Sequence, residues 1–474
     1  MKFEQIHIVY FIGIGGIGMS ALARWFVSTG RKVAGYDRTA TQLTRQLAQE
    51  GMEIVYDERD DVLPDYIIKE KSSVLVVYTP AVPLRHPQWQ FFKQEGFMLM
   101  KRSAVLGEIC QGMPTIAVAG THGKTTTSSL AAHILFASGV SMTAILGGVL
   151  KGYESNYIFS EALSSQRIMV TEADEYDRSF LALHPMVSIV TSADADHLDI
   201  YGTHADMIEA YQQFVNNTMP GGTCILHENV RGIIFPPAQA STLYYGASSD
   251  VQAKDVHIAK GSYVFTYKDA NETIEAITLH LPGIHNVDNT LAAIAAVLAT
   301  GKLNSSAIKE SIGCFGGIKR RFEYKLRNEN CVYIDDYAHH PAEIQATLNA
   351  VKELYPGKKI LAFFQPHLFS RTQDFAAGFA ESLKLANVVR LLPIYPAREL
   401  PIPGVESQML ADLLTDHDCK VIADEEVLHT ALSTKADVYL SMGAGNIDKL
   451  VEPLKEALLL KFGTATENLK EGSI

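Results

Sequence analysis

The strongest constraint on the fold is a series of short apolar runs that recur along the chain between helical stretches. Most runs are continuous rather than alternating, as expected for strands buried on both faces of a parallel sheet. Several end in Gly, Asp, His or Thr, and ligands of open α/β sheets bind at the carboxyl ends of the strands. The sequence therefore predicts an α/β fold with functional residues at these ends. The runs are HIVYFIG, SVLVVYT, TIAVAGT, RIMVTEAD, VSIVTSAD, CVYIDDYA, KILAFFQPH, NVVRLLPIY and DVYLSMGAG.

The chain length and two linker-like segments indicate how these strands are divided among domains. A chain of 474 residues is long enough for about three hydrophobic cores. The linker Gln111–Pro114 and the glycine pair Gly316–Gly317 precede new strand sets. We predict an N-terminal Rossmann-like domain over 1–110, a central P-loop-type domain with a mostly parallel sheet over 111–316, and a C-terminal Rossmann-like domain over 317–474. A polar, strand-rich insertion is expected over about 221–281.

Charge and cysteine usage narrow the functional classes. A net charge of −12 argues against a general binding surface for nucleic acid or anionic lipid. Five scattered cysteines without a C-x-x-C pair argue against a disulfide framework or a Cys zinc site and favour a reducing cytoplasm. The uncharged stretch Ile8–Ala23 has an alternative interpretation as a signal-peptide core, but four glycines interrupt it. We expect a cytoplasmic protein that holds any polyanion through a few placed groups.

The strongest local motif is AGTHGKTTT at 119–127, directly after the run TIAVA. A strand, a glycine-rich loop and a helix start place backbone N–H groups around one point, which suits a phosphate chain. Lys124 would reach the β- and γ-phosphates, and Thr125 would offer its hydroxyl to Mg²⁺. The full P-loop pattern requires glycine where this chain has Val118, so the match is the shorter Gly-x-x-Gly-Lys-Thr. The alternative is a tight turn with an exposed lysine. The predicted triphosphate site comprises Gly120, Thr121, His122, Gly123, Lys124, Thr125 and Thr126.

Acidic residues follow the next two predicted strands. Carboxylates and an imidazole near a triphosphate suit one or two Mg²⁺ ions, which prefer oxygen ligands. The alternative is that these residues belong to ordinary loops or helix N-caps. The residues are Glu172, Asp174, Glu175 and Asp177 after the first strand, and Asp194, Asp196, His197 and Asp199 after the second.

A second glycine-rich turn lies near the N-terminus. Gly13, Gly15, Gly16 and Gly18 follow the first run, and Asp37 ends the next one, at a distance that suits a ribose hydroxyl. This resembles the dinucleotide-binding fingerprint, which recognises pyrophosphate rather than nicotinamide. It therefore fits an NAD enzyme or any diphosphate-linked nucleoside.

Three further groups of polar residues lie in the second half of the chain. Asn side chains at a helix start can pair with an adenine edge or cap the helix. A pair of arginines can clamp phosphate or carry solvated charge. Polar residues at two late strand ends could hold a small zwitterion. These groups are His285, Asn286 and Asn289; Lys319, Arg320 and Arg321; and 335–341 with 365–372.

Together these motifs resemble one family, the Mur ligases, over nearly the whole chain. The resemblance implies an ATP-dependent ligase that adds an amino acid to the UDP-linked muramic acid precursor of peptidoglycan. Within the family the motifs are closest to the branch that joins L-alanine to UDP-N-acetylmuramate. Its sister branch, which recycles murein tripeptide, typically has a longer insertion after the stretch at 174–177. The motifs are 13–18, 120–125, 172–177, Asp196-His197, His285-Asn286 with Asn289, Arg320-Arg321-Phe322, 335–341 and 443–448.

The resemblance also assigns roles. It implies that ATP phosphorylates the lactyl carboxylate and that the alanine amine attacks the acyl phosphate. Mg²⁺ (one or two ions, with Mn²⁺ able to substitute) would be held by Thr125, Glu172 and His197, with Glu175 as the alternative to Glu172. The catalytic residues would be Lys124, Arg321, Arg371 and His339, which could also take the proton from the alanine ammonium. His285, Asn286, Asn289 and Arg320 would bind ATP. Substrate binding would fall to Gly13, Gly15, Gly16, Gly18, Asp37, Arg102, Tyr337, His339 and Arg371.

Two departures and three alternatives accompany this prediction. Leu368 stands where the family commonly has a second arginine, and 78–82 departs from a more usual Ser-Ala-Ile pattern. Tripeptide ligation is the alternative within the family. An NAD-dependent oxidoreductase would leave Lys124 and its acidic partners unexplained. A non-enzymatic NTP-driven switch would have no use for the N-terminal glycine turn. The resemblance implies no obligate protein partner.

Overall fold

The computed structural model describes residues 3–161, 166–196, 198–259, 261–397 and 399–463. Chain contacts divide it into two compact units. The first contains Met1–Val256, Val264–Thr278 and Asp288–Phe315, and the second contains His257–Tyr263, Leu279–Val287 and Gly316–Ile474. Among the described residues, no helix combines the length and the apolar character that crossing a bilayer requires.

The first sheet of unit 1 has five strands in the order β3-β2-β1-β4-β5, and all its pairings are parallel. The strand order reverses at β1, and the N-terminal glycine turn follows that strand, which is where open α/β sheets bind ligands. The strands are β1 (Ile8–Ile12), β2 (Lys32–Tyr36), β3 (Glu53–Val55), β4 (Val74–Tyr78) and β5 (Met98–Lys101). The helices are α1 (Ile17–Ser28), α2 (Gln42–Gln49), α3 (Asp65–Lys69), α4 (Pro87–Gln94) and α5 (Arg102–Cys110).

The second sheet has seven strands in the order β12-β11-β10-β6-β9-β7-β8, parallel except for the β7–β8 pair. Its strands are β6 (Thr115–Ala119), β7 (Met142–Leu150), β8 (Ser155–Ser160), β9 (Ile168–Glu172), β10 (Val187–Val190), β11 (Thr223–His227) and β12 (Ser241–Tyr245). A three-stranded sheet follows, with β13 (Gln252–Ala259), β14 (Ser262–Lys268) and β15 (Thr273–Leu279). The helices of this region are α6 (Lys124–Ala137), α7 (Leu198–Tyr201), α8 (His204–Asn216), α9 (Ile284–Ala299) and α10 (Ser305–Gly313).

Unit 2 contains a six-stranded sheet in the order β16-β17-β21-β18-β19-β20, with only the β16–β17 pair antiparallel among its described strands. The strands are β16 (Glu323–Arg327), β17 (Val332–Asp336), β18 (Ile360–Phe364), β19 (Val388–Leu391), β20 (Asp418–Val421) and β21 (Val438–Met442). The helices are α11 (Pro341–Leu354), α12 (Phe369–Asp374), α13 (Ala376–Leu383), α14 (Ser407–Asp412), α15 (Val427–Ser433) and α16 (Asp448–Phe462). Short 3-10 helices lie at Asp60–Val62, Lys71–Ser73, Tyr176–Ala182, Glu228–Val230 and Asp424–Glu426.

Continuous burial explains why the apolar runs form strands. Every residue of β1, β6, β17, β18 and β21 is buried, because helices cover both faces of these parallel sheets. The predicted α/β class with mostly parallel sheets is confirmed. The three domain boundaries stay predictions.

Candidate functional site: a lysine loop, an acidic strand end and an N-terminal glycine turn

The glycine loop at 120–123 joins β6 to α6 and places Lys124 at the first position of the helix. Gly120 and Gly123 have φ values of +135° and +80°, which favour glycine. The Lys124 ammonium donates to the carbonyl of Gly120 at 2.5 Å and to Glu175 Oε1 at 2.9 Å. The exposed fractions of the Lys124 and Glu175 side chains are 16% and 2%. The lysine is therefore anchored inside the loop rather than exposed.

Burial and charge act in opposite directions on this ion pair. Burial raises the pKa of Glu175 to about 7, although Lys124 opposes the shift. Burial alone would lower the pKa of Lys124, but the carboxylate of Glu175 outweighs it and the pKa is raised. We take the lysine as charged, because three carboxylates, those of Glu175, Asp174 and Glu172, all favour its ammonium form.

The loop is fixed from its other side by the segment that follows β10. The hydroxyl of Thr121 donates to the carbonyl of Asp194 at 2.8 Å, and the backbone N–H of His122 donates to Ser192 Oγ at 2.9 Å. The His122 Nε2 atom lies 3.8 Å from Asp194 Oδ2. The two hydrogen bonds fix the loop at the carboxyl ends of β6 and β10.

Asn289 packs against the same loop. Its Oδ1 accepts from the Thr127 hydroxyl at 3.3 Å, and a Cβ on Gly123 would lie 3.3 Å from its Cγ. The predicted nucleotide residue Asn289 is thus brought to the lysine loop within unit 1. His285 and Asn286 belong to unit 2, where the Asn286 amide donates to the carbonyl of Pro282 at 2.6 Å.

The acidic stretch after β9 is distributed among different partners. Glu172 Oε1 accepts from the Gly147 N–H at 2.7 Å, and Asp174 Oδ2 accepts from Arg102 at 2.8 Å. Glu175 pairs with Lys124, as described above. The choice between Glu172 and Glu175 as a metal ligand stays open, with Glu175 already engaged by the lysine.

The donor types at the predicted metal site suit Mg²⁺. Thr125 is the second residue of α6 and is buried, and Glu172 is the last residue of β9. His197 lies outside the described residues. Across the described ranges, no three His, Cys, Asp or Glu side chains form a ready metal cluster. Mg²⁺ commonly takes one or two protein carboxylates and completes its shell with phosphate oxygens and water, so a hydroxyl and a carboxylate beside a phosphate loop fit it.

The N-terminal glycine turn contacts Asp37 and Arg102, two other residues of unit 1 that were predicted to bind substrate. The Gly15 N–H donates to Asp37 Oδ2 at 2.8 Å, so that carboxylate closes against the turn. A Cβ on Gly18 would lie 2.5 Å from the NH1 atom of Arg102, which places the guanidinium against the turn. Gly13 has a φ of +91° and makes the bend after β1. Gly16 is the N-cap of α1.

Unit 2 brings the arginine pair together with the late strand ends. Arg320 donates to Asp335 at 3.0 Å and to the carbonyl of Gly443 at 2.8 Å. The guanidinium carbons of Arg320 and Arg321 lie 5.4 and 5.3 Å from the ring centroid of Tyr337. Arg371 is buried on α12 and interacts electrostatically with Tyr337. The predicted cationic and aromatic residues of this unit therefore form one cluster.

Glu343 connects His339 to Arg321 in that cluster. His339 Nδ1 lies 3.2 Å from Glu343 Oε2, the backbone N–H of His339 donates to the same oxygen at 3.0 Å, and Arg321 NH1 lies 3.8 Å from Oε1. Glu343 was not among the residues predicted from the sequence, although it follows His339 by four residues and lies in the first turn of α11.

Asp336 organises the backbone beneath the cluster. Its oxygens accept from the N–H groups of Phe322 and Ala338, both at 2.7 Å. Burial raises the pKa of Asp336 to about 6, and Arg321 with these two N–H donors opposes the shift. Asp336 therefore fixes the turns that carry Arg321 and His339. From the sequence, Asp336 was predicted only as part of the stretch 335–341 that could hold a small zwitterion.

Comparison with known proteins matches nearly the whole chain. Models of the Mur ligase family catalytic domain, the Mur ligase middle domain and the Mur ligase glutamate ligase domain match residues 8–113, 118–297 and 320–445. A UDP-N-acetylmuramate–L-alanine ligase of Cytophaga hutchinsonii is 43% identical over 467 residues, which cover 98% of this chain and 100% of the relative.

Solved structures agree. The UDP-N-acetylmuramate–alanine ligase of Thermotoga maritima has a TM-score of 0.80 at 26% identity, covering 96% of this chain and 99% of its own. A murein peptide ligase of Psychrobacter arcticus has a TM-score of 0.69 at 23% identity, covering 97% and 99%, and so shows a shared fold. The chain therefore belongs to the Mur ligase family of enzymes.

Proposed function

We propose that this protein is the ATP-dependent ligase that joins L-alanine to the lactyl carboxylate of UDP-N-acetylmuramate in the cytoplasm of a bacterium. The observation that carries the proposal is the sequence identity of 43%, over nearly the full length of both chains, to a ligase of that name. It favours this activity over tripeptide ligation, over an NAD-dependent oxidoreductase and over an NTP-driven switch. An NAD-dependent oxidoreductase has no use for the anchored pair Lys124–Glu175, and an NTP-driven switch has no use for the N-terminal glycine turn.

The reaction needs activation, because a carboxylate at neutral pH is a poor electrophile. A lactyl carboxylate oxygen attacks the γ-phosphorus of ATP, the bond to the β-phosphate oxygen breaks, and ADP leaves. The alanine amine then attacks the acyl phosphate carbon, loses a proton, and expels inorganic phosphate to form the amide. Both steps build up negative charge on phosphoryl or carbonyl oxygens, so placed cations lower the barrier.

Residues of unit 1 would hold the nucleotide. The 120–126 loop would bind the phosphates through N–H groups at the start of α6, because the N–H groups of Thr121 and His122 already donate to Ser192. Lys124, anchored by Glu175, would neutralise the transferring phosphoryl group. Thr125, Glu172 and His197 would hold Mg²⁺, which supplies Lewis-acid stabilisation of phosphate charge when bound. Asn289, together with His285 and Asn286, is proposed to bind adenine.

Residues of unit 2 would serve the amino acid and the acyl phosphate. Arg321 and Arg371 provide positive charge around Tyr337, and His339 is proposed to take the proton from the alanine ammonium. Arg320 has a fixed structural partner in Asp335, and we propose phosphate binding for its guanidinium as a secondary role. The division into a UDP-muramate domain (1–110), an ATP domain (111–316) and an amino-acid domain (317–474) forms part of this proposal.

The test measures phosphate release from ATP in the presence of Mg²⁺. UDP-N-acetylmuramate and L-alanine are present together, and each is then omitted in turn. We expect release only when both are present, together with a product of the mass of the alanyl amide. Lys124→Ala should abolish release, and Lys69→Ala, which changes an exposed ion pair on α3, should not.

Two results would contradict the proposal. Release with murein tripeptide but not with alanine would assign the protein to the recycling branch. Absence of release with either amine, in a folded protein that binds ATP, would leave the fold correct and the proposed activity wrong.

A further inference from the structure

Asp174 contacts Arg102, which lies against the N-terminal glycine turn of unit 1, and the next residue, Glu175, contacts the lysine loop. The Asp174 Oδ2 accepts from Arg102 NH2 at 2.8 Å, and its Oδ1 accepts from the backbone N–H of Tyr176 at 3.1 Å. The exposed fractions of the Arg102 and Asp174 side chains are 19% and 38%. The guanidinium is thus the more enclosed partner, and the carboxylate fixes its direction.

Arg102 is held where an anion on the N-terminal turn would meet it. Its NH1 atom lies where a side chain on Gly18 would begin, so the absence of a side chain there makes room for the guanidinium. One terminal nitrogen faces the turn while the other is bonded to Asp174. A planar guanidinium can bridge two anions in this way, whereas a lysine ammonium cannot reproduce the geometry.

The same acidic segment is fixed from the nucleotide side. Glu175 follows Asp174 directly and accepts from Lys124 at 2.9 Å. Two adjacent carboxylates therefore contact two different cations. Asp174 contacts Arg102 beside the N-terminal glycine turn, and Glu175 contacts Lys124 of the lysine loop. A ligand that holds Lys124 against Glu175 would therefore also hold the preceding residue, Asp174, against Arg102.

We propose that Asp174 is a positioning residue that orients Arg102 toward the diphosphate of the UDP-linked substrate and couples that site to the nucleotide site. This inference rests on the proposed function. A nucleotide that orders the acidic segment has already met part of the entropy cost of ordering Arg102, so the second ligand binds more tightly. By linkage, the substrate strengthens nucleotide binding by the same factor.

A neighbouring ion pair offers a matched control. Lys101 and Asp177 join the same two segments at 3.0 Å, with exposed fractions of 48% and 32%. Asp177 has a φ of +54°, a conformation that asparagine tolerates well. Asp177→Asn therefore removes one charge from the same segment without touching the Arg102 contact.

The experiment is calorimetric titration of UDP-N-acetylmuramate into the full-length protein, with and without Mg²⁺ and β,γ-methylene ATP. We define the affinity ratio as the affinity for UDP-N-acetylmuramate with the nucleotide divided by that without it. In the wild type we expect a ratio of about five or more. In Asp174→Asn we expect weaker binding and a ratio near one. In Asp177→Asn we expect the wild-type ratio. Arg102→Lys serves as a second variant, with the ratio lost and nucleotide binding alone unchanged, in case Asp174→Asn fails to fold.

Three outcomes would overturn the inference. These are a wild-type ratio near one, an unchanged ratio in Asp174→Asn or Arg102→Lys, and an equal loss of the ratio in Asp177→Asn. If the wild type also ligates alanine, only this inference fails. If the wild type neither binds UDP-N-acetylmuramate nor releases phosphate, the proposed function fails with it.

Discussion

At the scale of single residues, the buried pair Lys124–Glu175 makes stability depend on the cation that we propose for catalysis. Replacing Lys124 with Met keeps most of the side-chain volume and leaves Glu175 buried without that cation. Removing one partner of a buried pair costs about 3 kcal/mol of unfolding free energy. We expect this loss near pH 8.5, measured by urea denaturation against the wild type.

The pH dependence of that loss has a definite sign. Burial raises the pKa of Glu175 to about 7 even with Lys124 present, and losing the lysine raises it further. A carboxyl with a raised pKa in the folded state costs stability as pH rises through that pKa. The stability deficit of Lys124→Met should therefore grow above about pH 7 and shrink below it. A deficit that is constant with pH would contradict the ion pair. Lys101→Met removes an exposed pair and should cost at most about 1 kcal/mol at either pH.

A second prediction at this scale concerns His339. Its ring nitrogen lies 3.2 Å from Glu343, which orients the imidazole. If His339 takes the alanine proton, His339→Asn should lower turnover by about 100-fold or more, with little change in nucleotide binding. Steady-state phosphate release and nucleotide titration measure both quantities. Unchanged turnover would remove His339 from the mechanism. Glu343→Gln keeps the imidazole but weakens its orientation, so a smaller decrease is expected.

At the scale of elements, the strands that are continuous apolar runs could be predicted from the sequence. The contacts between one element and another could not. The runs around β1, β6 and β9 match strands because burial on both faces leaves a direct mark on composition. The antiparallel hairpin β7–β8 was not predicted, since the GG pair at 147–148 interrupts its apolar pattern. The close approach of Gly147 to Glu172 depends on the pairing of β7 with β9, and local sequence carries no signal for it.

That approach yields a prediction for the β7–β9 pair. A Cβ on Gly147 would lie 2.7 Å from the carboxyl carbon of Glu172, so Gly147→Ala must displace the carboxylate. If Glu172 holds Mg²⁺, moving its carboxylate away from the Gly147 N–H should raise the Mg²⁺ concentration for half-maximal activity about tenfold or more. The control is Gly112→Ala, where a Cβ meets nothing within 4 Å. An unchanged Mg²⁺ requirement in folded Gly147→Ala would favour Glu175 as the metal ligand.

At the scale of the whole molecule, the way in which the chain is partitioned into compact units leaves no local signal in the sequence. The motifs that resemble Mur ligases are contiguous, so Lys124 and His339 can be proposed as site residues from short stretches. The compact units are interleaved, and the boundary crosses α9 between Val287 and Asp288. Packing of distant segments decides such a boundary, and the strand pattern alone does not contain that information.

The net charge of the chain gives a prediction at this largest scale. A protein of net charge −12 repels ATP and UDP-linked substrates at long range, while the attraction of Lys124 and Arg102 acts within a few ångströms. The Debye length falls from about 30 Å at 0.01 M to about 8 Å at 0.15 M, so added salt screens the long-range repulsion first. We therefore expect the association rate of a fluorescent ATP analogue, measured by stopped flow, to rise between these ionic strengths. A tenfold or larger fall, as in electrostatically steered association, would instead mean that a positive field surrounds the sites and outweighs the net charge.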